Sequence, residues 1–160
     1  MDLDADIQAV ESDLQSCFST ITPLKEGLRL PGTWDMFEAG IRAILGQQIS
    51  VTAAHNLATK LINTLGLRLG EKRLFSSPKA IVDSELDFLK TPNTRKQTLR
   101  NLALHYRDND TPDEPQQWLS LKGIGPWTVG YAQLRGLSDP DIYLGGDLAF
   151  KKTTEKLTHQ

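Results

Sequence analysis

The sequence predicts an all-α domain, on three observations. Apolar residues recur with helical rather than alternating spacing nearly everywhere, residues that cap helices stand at the ends of these runs, and no internal repeat or low-complexity linker separates them. At 160 residues the chain is long enough for a single domain, 1–160, with a genuine core, because a domain of this size buries roughly 70% of its unfolded surface.

The elements follow in order. A first helix is expected from Ala5 to Phe18, then a loop through "TPLKEGLRLPG". Thr33 has the chemistry of an N-cap, and Phe37, Ile41, Ile44 and Leu45 form an apolar stripe that ends near "GQQ". Ser50 caps the next helix, whose Val51, Ala54, Ala58, Leu61 and Leu65 keep the spacing until Gly66 offers a stop; the two helices should form an antiparallel pair. In "SSPKAIVDS", Ser77 is a cap and Pro78 sits at the first helical position, which predicts a short helix, and "SELDFLK" is expected to form another. From Thr94 to Tyr106 the residues Leu99, Leu102, Ala103 and Tyr106 make a buried stripe, with Arg95, Lys96 and Arg100 pointing elsewhere. "EPQQWLSL" is a short helix feeding "LKGIGPWTVGYAQLRG".

Composition excludes more than it selects. A net charge of -2 carries no global signature of nucleic-acid binding, so an anionic partner must be held by local geometry. The field is nevertheless polarised: Lys90, Arg95, Lys96, Arg100 and Arg107 occur with no acid between them, whereas Asp2, Asp4, Asp6, Glu11 and Asp13 open the chain with no base. Each run is also what a solvated helix face looks like. The single cysteine, Cys17, excludes an internal disulfide, a four-cysteine iron–sulfur cluster and a cysteine-built zinc site, and it fits a reducing cytoplasm. The histidines His55, His105 and His159 are far apart, no apolar run approaches membrane-spanning length, and the acidic start lacks the regions of a signal peptide.

The chemistry gathers around residues 121–128. Gly123 and Gly125 bracket one apolar residue, and Pro126, with its preset φ, starts a helix through Tyr131 to Leu134, giving helix, tight hairpin, helix. Glycines allow positive φ and put no side chain over the N–H groups, which join the new helix's first amides in an anion-sized nest. A phosphate fits such a nest, but two helices packed at an angle use the same device as a plain joint. Trp127 and Tyr131, four apart on one face, suit either a core stripe or an aromatic wall. Downstream by 22 residues from Gly125, "IYLGGDLAFKK" places Asp147 after two glycines and before another helical pattern. Taken alone, such an Asp is an ordinary N-cap.

Together "L-x-G-I-G-x-W-T", "GLRLPGTWDMFEAGIRAILGQQIS", "IYLGGDLAFKK" and the opening "DLDAD" resemble the helix-hairpin-helix DNA glycosylases, and among them the bacterial 3-methyladenine DNA glycosylase II, or AlkA, type; the resemblance runs from about residue 2 to residue 152. It implies the helical catalytic domain of that family, apparently lacking its final helices, with the catalytic-aspartate segment at 142–152. It also implies a DNA-repair enzyme of base excision that removes alkylated, 3-methyladenine-like bases from double-stranded DNA. The expected setting is a monomer in the cytoplasm, on the nucleoid while acting, with no membrane partner.

By the same resemblance Gly123 and Gly125 hold a DNA phosphate, with Lys122 and Thr128 beside them, and the carbonyls of Leu121 and Ile124 can bind Na+ or K+ in place of any side-chain metal site. No organic cofactor is implied. Arg95, Lys96 and Arg100 are possible helpers on the backbone. The wedge that fills the gap left by a flipped base falls on Gln48, where the polar residue replaces stacking with hydrogen bonds, unless "GQQ" merely ends its helix. Asp147 matches the catalytic aspartate, and Trp127 and Tyr131 line the base pocket, where electron-rich rings favour a cationic base. Relatives that also cut the backbone carry a lysine at the position of Trp127, so this chain is expected to be monofunctional.

The pattern departs from the family in three places. Leu148 stands where an aromatic residue can follow the aspartate, and Lys122 where the hairpin often has proline. The chain ends 13 residues after Asp147, so a fragment of a longer glycosylase, or a non-catalytic helix-hairpin-helix DNA-binding remnant, is the alternative expectation.

Overall fold

The computed structural model describes residues 6–17 and 26–147. Its helices are α1 (Ile7–Cys17), α2 (Met36–Gly46), α3 (Val51–Leu65), α4 (Pro78–Val82), α5 (Asn93–Asp108) and α6 (Pro126–Gly136), with a 3-10 helix at Pro115–Ser120 before α6. The expected first helix lies within Ala5–Phe18, whose two end residues fall outside the described residues. The helical pattern after Asp147, with Leu148, also falls outside them.

α2 is the axis of the fold. Its sequence MFEAGIRAILG is apolar on almost every side, and it packs against α3, α5 and α6. Met36, Phe37, Ile41, Ile44 and Leu45 are buried with Leu61 of α3, Leu99 and Leu102 of α5, and Val129 and Ala132 of α6. Gly40 allows the closest approach: a Cβ there would stand 2.7 Å from Leu102 Cδ2 and 2.8 Å from the Trp118 ring. Trp118 is wholly buried with its indole N–H donating to Pro112 O at 2.9 Å, so this large side chain carries no unsatisfied donor. Tyr106 bridges Phe37 and Trp118, with ring centroids 4.9 and 5.8 Å away. The expected α5 stripe of Leu99, Leu102, Ala103 and Tyr106 thus faces this core.

Local chemistry explains the boundaries. The Ser50 and Ser77 hydroxyls accept from Ala53 N–H and Ala80 N–H, each at 3.2 Å, as N-caps do. At α2 the expectation is corrected: Asp35, not Thr33, is the cap, its carboxylate accepting from Glu38 N–H at 2.7 Å. Thr33 is drawn away: its N–H donates to Arg135 O at the end of α6 at 2.7 Å, and its hydroxyl is shared between Asp35 O at 2.9 Å and Arg135 O at 3.1 Å. "SELDFLK" is a turn and not a helix, because Ser84 Oγ accepts from Leu86 N–H and Leu86, fully buried, takes a left-handed φ of 55°. A two-residue antiparallel hairpin, β1 (Arg68–Leu69) and β2 (Lys72–Arg73), was not expected; it turns at Gly70, lies exposed and leaves the helical class unchanged.

The basic run on α5 is tied down more than its sequence suggests. Arg95 donates to Gln47 O and to Thr91 Oγ1, and burial pushes its guanidinium below the ordinary value. Lys96 pairs with Asp87 at 2.9 Å and Arg100 with Glu85 at 3.1 Å and Ser84 O at 2.8 Å. These three cations therefore face partners within the chain.

Candidate functional site

The hairpin is built from its anchors outward. Leu121 N–H donates to Trp118 O, closing the 3-10 helix, and Ile124 N–H donates to Leu121 O at 3.1 Å, closing the turn. Ile124, 7% exposed, pins the tip into the core. Gly123 is glycine for two reasons: its φ is +94°, and a Cβ would stand 2.0 Å from Thr98 Oγ1 on α5. Gly125 differs from expectation. Its φ of -119° and ψ of 177° are extended backbone open to any residue, and nothing lies within 4 Å of where its Cβ would be. Folding therefore does not demand glycine at 125; what its bare backbone leaves is open space at the start of α6.

That space is lined by donors. Pro126 has no N–H, and the N–H groups of Thr128 and Val129 both donate to Gly125 O, at 3.0 and 3.2 Å. The N–H groups of Gly123, Gly125 and Trp127 take no acceptor among the described residues. They lie at or beside a helix N-terminus that has no side-chain cap, which is the arrangement that binds anions. The Lys122 side chain is exposed beside it, and Lys122 O accepts from Asn101 Nδ2 at 3.1 Å. Thr128 is 2% exposed, and its hydroxyl accepts from Gln47 Nε2 at 3.1 Å, so what it turns toward the hairpin is its backbone.

Asp147 is brought to the same end of α6. Ile142 and Leu144 settle on Gly130, where a Cβ would come within 3.2 and 3.0 Å of their side chains. Asp147 N–H then donates to Leu144 O at 2.9 Å, turning the chain so that Trp127 Nε1 donates to Asp147 Oδ2 at 3.1 Å. The carboxylate thus sits against the second residue of the helix that opens at Gly125. Trp127 and Tyr131 form the anticipated pair, 5.4 Å between centroids and tilted by 33°. Sequence reasoning missed the next member of that column: the Arg135 guanidinium lies 5.8 Å from the Tyr131 ring, a contact that i, i+4, i+8 spacing could have suggested.

Across from the hairpin, residues 47–50 join α2 to α3. Gln48 is exposed and holds a left-handed φ of 57°, rare for a residue with a side chain. Its neighbour Gln47 was also missed; its side-chain amide donates to Gly123 O at 3.2 Å and to Thr128 Oγ1 at 3.1 Å. The hairpin, the carboxylate and the Gln48 corner are therefore adjacent structural units around the start of α6. A separate cavity of about 90 Å³ lined by Ile7, Leu28, Leu134 and Pro140 includes none of these residues. Among the described residues no cluster of His, Cys, Asp and Glu could hold a metal ion, and no helix is long and apolar enough to cross a membrane.

No protein-family model matches the chain. Individual relatives do. The chain is 30% identical, over 98% of its length, to the probable bifunctional transcriptional activator/DNA repair enzyme AlkA of Mycobacterium tuberculosis, and 32% identical, over 96%, to DNA-3-methyladenine glycosylase 2 of Escherichia coli. It spans 35% and 59% of those proteins' own lengths. The fold matches that of the Schizosaccharomyces pombe 3-methyladenine DNA glycosylase in complex with abasic DNA, with a TM-score of 0.60 at 19% identity, covering 78% of this chain and 65% of that one.

Proposed function

Because the chain belongs to the helix-hairpin-helix DNA glycosylases of the AlkA type, we propose that it removes alkylated, 3-methyladenine-like bases from double-stranded DNA by hydrolysing the N-glycosidic bond. The observation that carries this reading is the Trp127–Asp147 hydrogen bond of 3.1 Å, which ties a carboxylate to the second residue of the helix that the hairpin opens.

In this reading the N–H groups around Gly123 and Gly125 hold a backbone phosphate, and the exposed Lys122 adds charge. A slightly acidic protein can grip DNA in this way because the contact is local. A monovalent cation would suit the carbonyls of Leu121 and Ile124: the oxygen donors are of the right kind, and Leu121 O spends only one lone pair on Ile124 N–H. When bound, it would add positive charge near the phosphate. The target nucleotide leaves the stack, and Gln48 enters the gap.

Bond breaking sends the electron pair of the C1′–N bond to the departing base and leaves positive charge on the sugar. Asp147 stabilises that charge, or takes the proton of the water whose oxygen bonds to C1′. Trp127 serves twice, orienting Asp147 through its N–H and offering an aromatic face to a cationic base. It supplies no amine for a Schiff base, so the reaction stops at the abasic site. We place the protein at work as a monomer in the cytoplasm.

The test is to incubate the purified protein with methylated duplex and measure free base, followed by borohydride treatment. Release of base with no trapped covalent adduct is expected. An adduct overturns the monofunctional assignment, and binding without release makes the chain a DNA-binding module. A second outcome is expected at Gln48. Gln48→Gly relieves the left-handed φ and should raise stability by about 0.5–1 kcal/mol, read by thermal melting, while slowing base release by about tenfold because nothing fills the gap.

A further inference from the structure

Gln47 shares one bond network with the hairpin and with α5. Its backbone N–H ends α2 on Ile44 O at 3.3 Å, and its carbonyl accepts from the Arg95 guanidinium, which also reaches Thr91 Oγ1 at 2.9 Å. Its side-chain amide spans to Gly123 O at 3.2 Å and Thr128 Oγ1 at 3.1 Å. The residue that follows it is Gln48, exposed and held at a left-handed φ of 57°. One side chain thus connects the corner that carries the wedge, the carbonyl at the hairpin's positive-φ glycine, and the first turn of α6.

On the glycosylase reading above, we infer that Gln47 is a positioning residue for base extrusion: it holds Gln48 in fixed register with the phosphate-binding amides. The reason is geometric. Extrusion requires the wedge to enter the duplex opposite a phosphate gripped by a different segment, so an error in the spacing of the two segments costs rate even when each is intact. Gln is suited to the task because Nε2 has two donors, and the two acceptors it meets belong to the hairpin carbonyl and to the buried Thr128 hydroxyl. Arg95 holds the backbone of Gln47 through its bond to the Gln47 carbonyl.

The test separates grip from rate in Gln47→Met, which keeps the length and removes both donors, and in Thr128→Val, which keeps the shape and removes one acceptor. Measurements are single-turnover base release from methylated duplex, affinity for undamaged duplex with its salt slope, and thermal melting. For Gln47→Met we expect release to slow by about tenfold with duplex affinity within about threefold and an unchanged salt slope. Thr128→Val should give a smaller loss, and the double variant no more than Gln47→Met alone. If Gln47→Met does not fold, Thr128→Val decides by the same split between rate and affinity. Release by the variants within about twofold of wild type overturns the inference, as do parallel losses of rate and affinity. Absence of release by the wild type overturns the glycosylase reading and this inference with it.

Discussion

Asp147→Asn is expected to slow release of an alkylated base by about 10²- to 10³-fold while leaving affinity for an abasic-site duplex within about threefold of wild type. The substitution is nearly isosteric, and its amide oxygen can still accept from Trp127 Nε1, so the turn at 144–147 need not change. What disappears is the negative charge opposite the developing charge on the sugar. Single-turnover release and fluorescence-anisotropy binding measured on the same preparations check both halves. Equal release rates from the two proteins would remove Asp147 from the reaction.

The second large effect is structural. Gly123→Ala should destabilise the protein by about 2–4 kcal/mol, lowering the melting midpoint by about 5–15 °C, because strain at positive φ and overpacking act together. The new Cβ would stand 2.0 Å from Thr98 Oγ1 and 3.0 Å from Thr98 Cγ2, and the φ of +94° disfavours any side chain. Relief through α5 is blocked, since Thr98 is 5% exposed and its hydroxyl donates to Thr94 O at 3.0 Å. Adding Thr98→Ala removes the two atoms but not the φ, so the double variant should recover only part of the loss. Full recovery would mean that the backbone angle contributes nothing. Gly125→Ala, at extended backbone with open space, should leave the stability within about 1 kcal/mol of wild type, because any cost there falls on a ligand rather than on the fold.

Much of this site was legible from local chemistry. Ser50 and Ser77 cap as expected, Pro126 opens α6, and Trp127 and Tyr131 meet because residues four apart on a helix must. The fold class was legible because the buried positions of α2, α5 and α6 recur with helical spacing. What could not be read depends on distant partners. Thr33 has cap chemistry but donates to Arg135 O, 102 residues away, which leaves the cap to Asp35. The bonds of Gln47 cross 76 and 81 residues, and a glutamine at a helix end carries no local sign of them. The role of the basic run stayed open between a solvated face and a helper on DNA because sequence shows charges and hides their partners; Lys96 and Arg100 find Asp87 and Glu85 across the turn before α5. Gly125 resembled Gly123 in sequence, yet only Gly123 needs its positive φ.

The central claim is that the hairpin and Asp147 act on one stretch of duplex, and its most direct test is an NMR titration with an abasic-site duplex. The backbone amides of Gly123, Gly125 and Trp127 report the grip. The indole Nε1–H of Trp127, one of 3 tryptophans, reports the bond to Asp147. The predicted result is that all four signals shift together, with one dissociation constant and one-to-one stoichiometry. Hairpin amides that saturate while the indole signal stays in place would contradict it, because grip and carboxylate would then belong to separate surfaces.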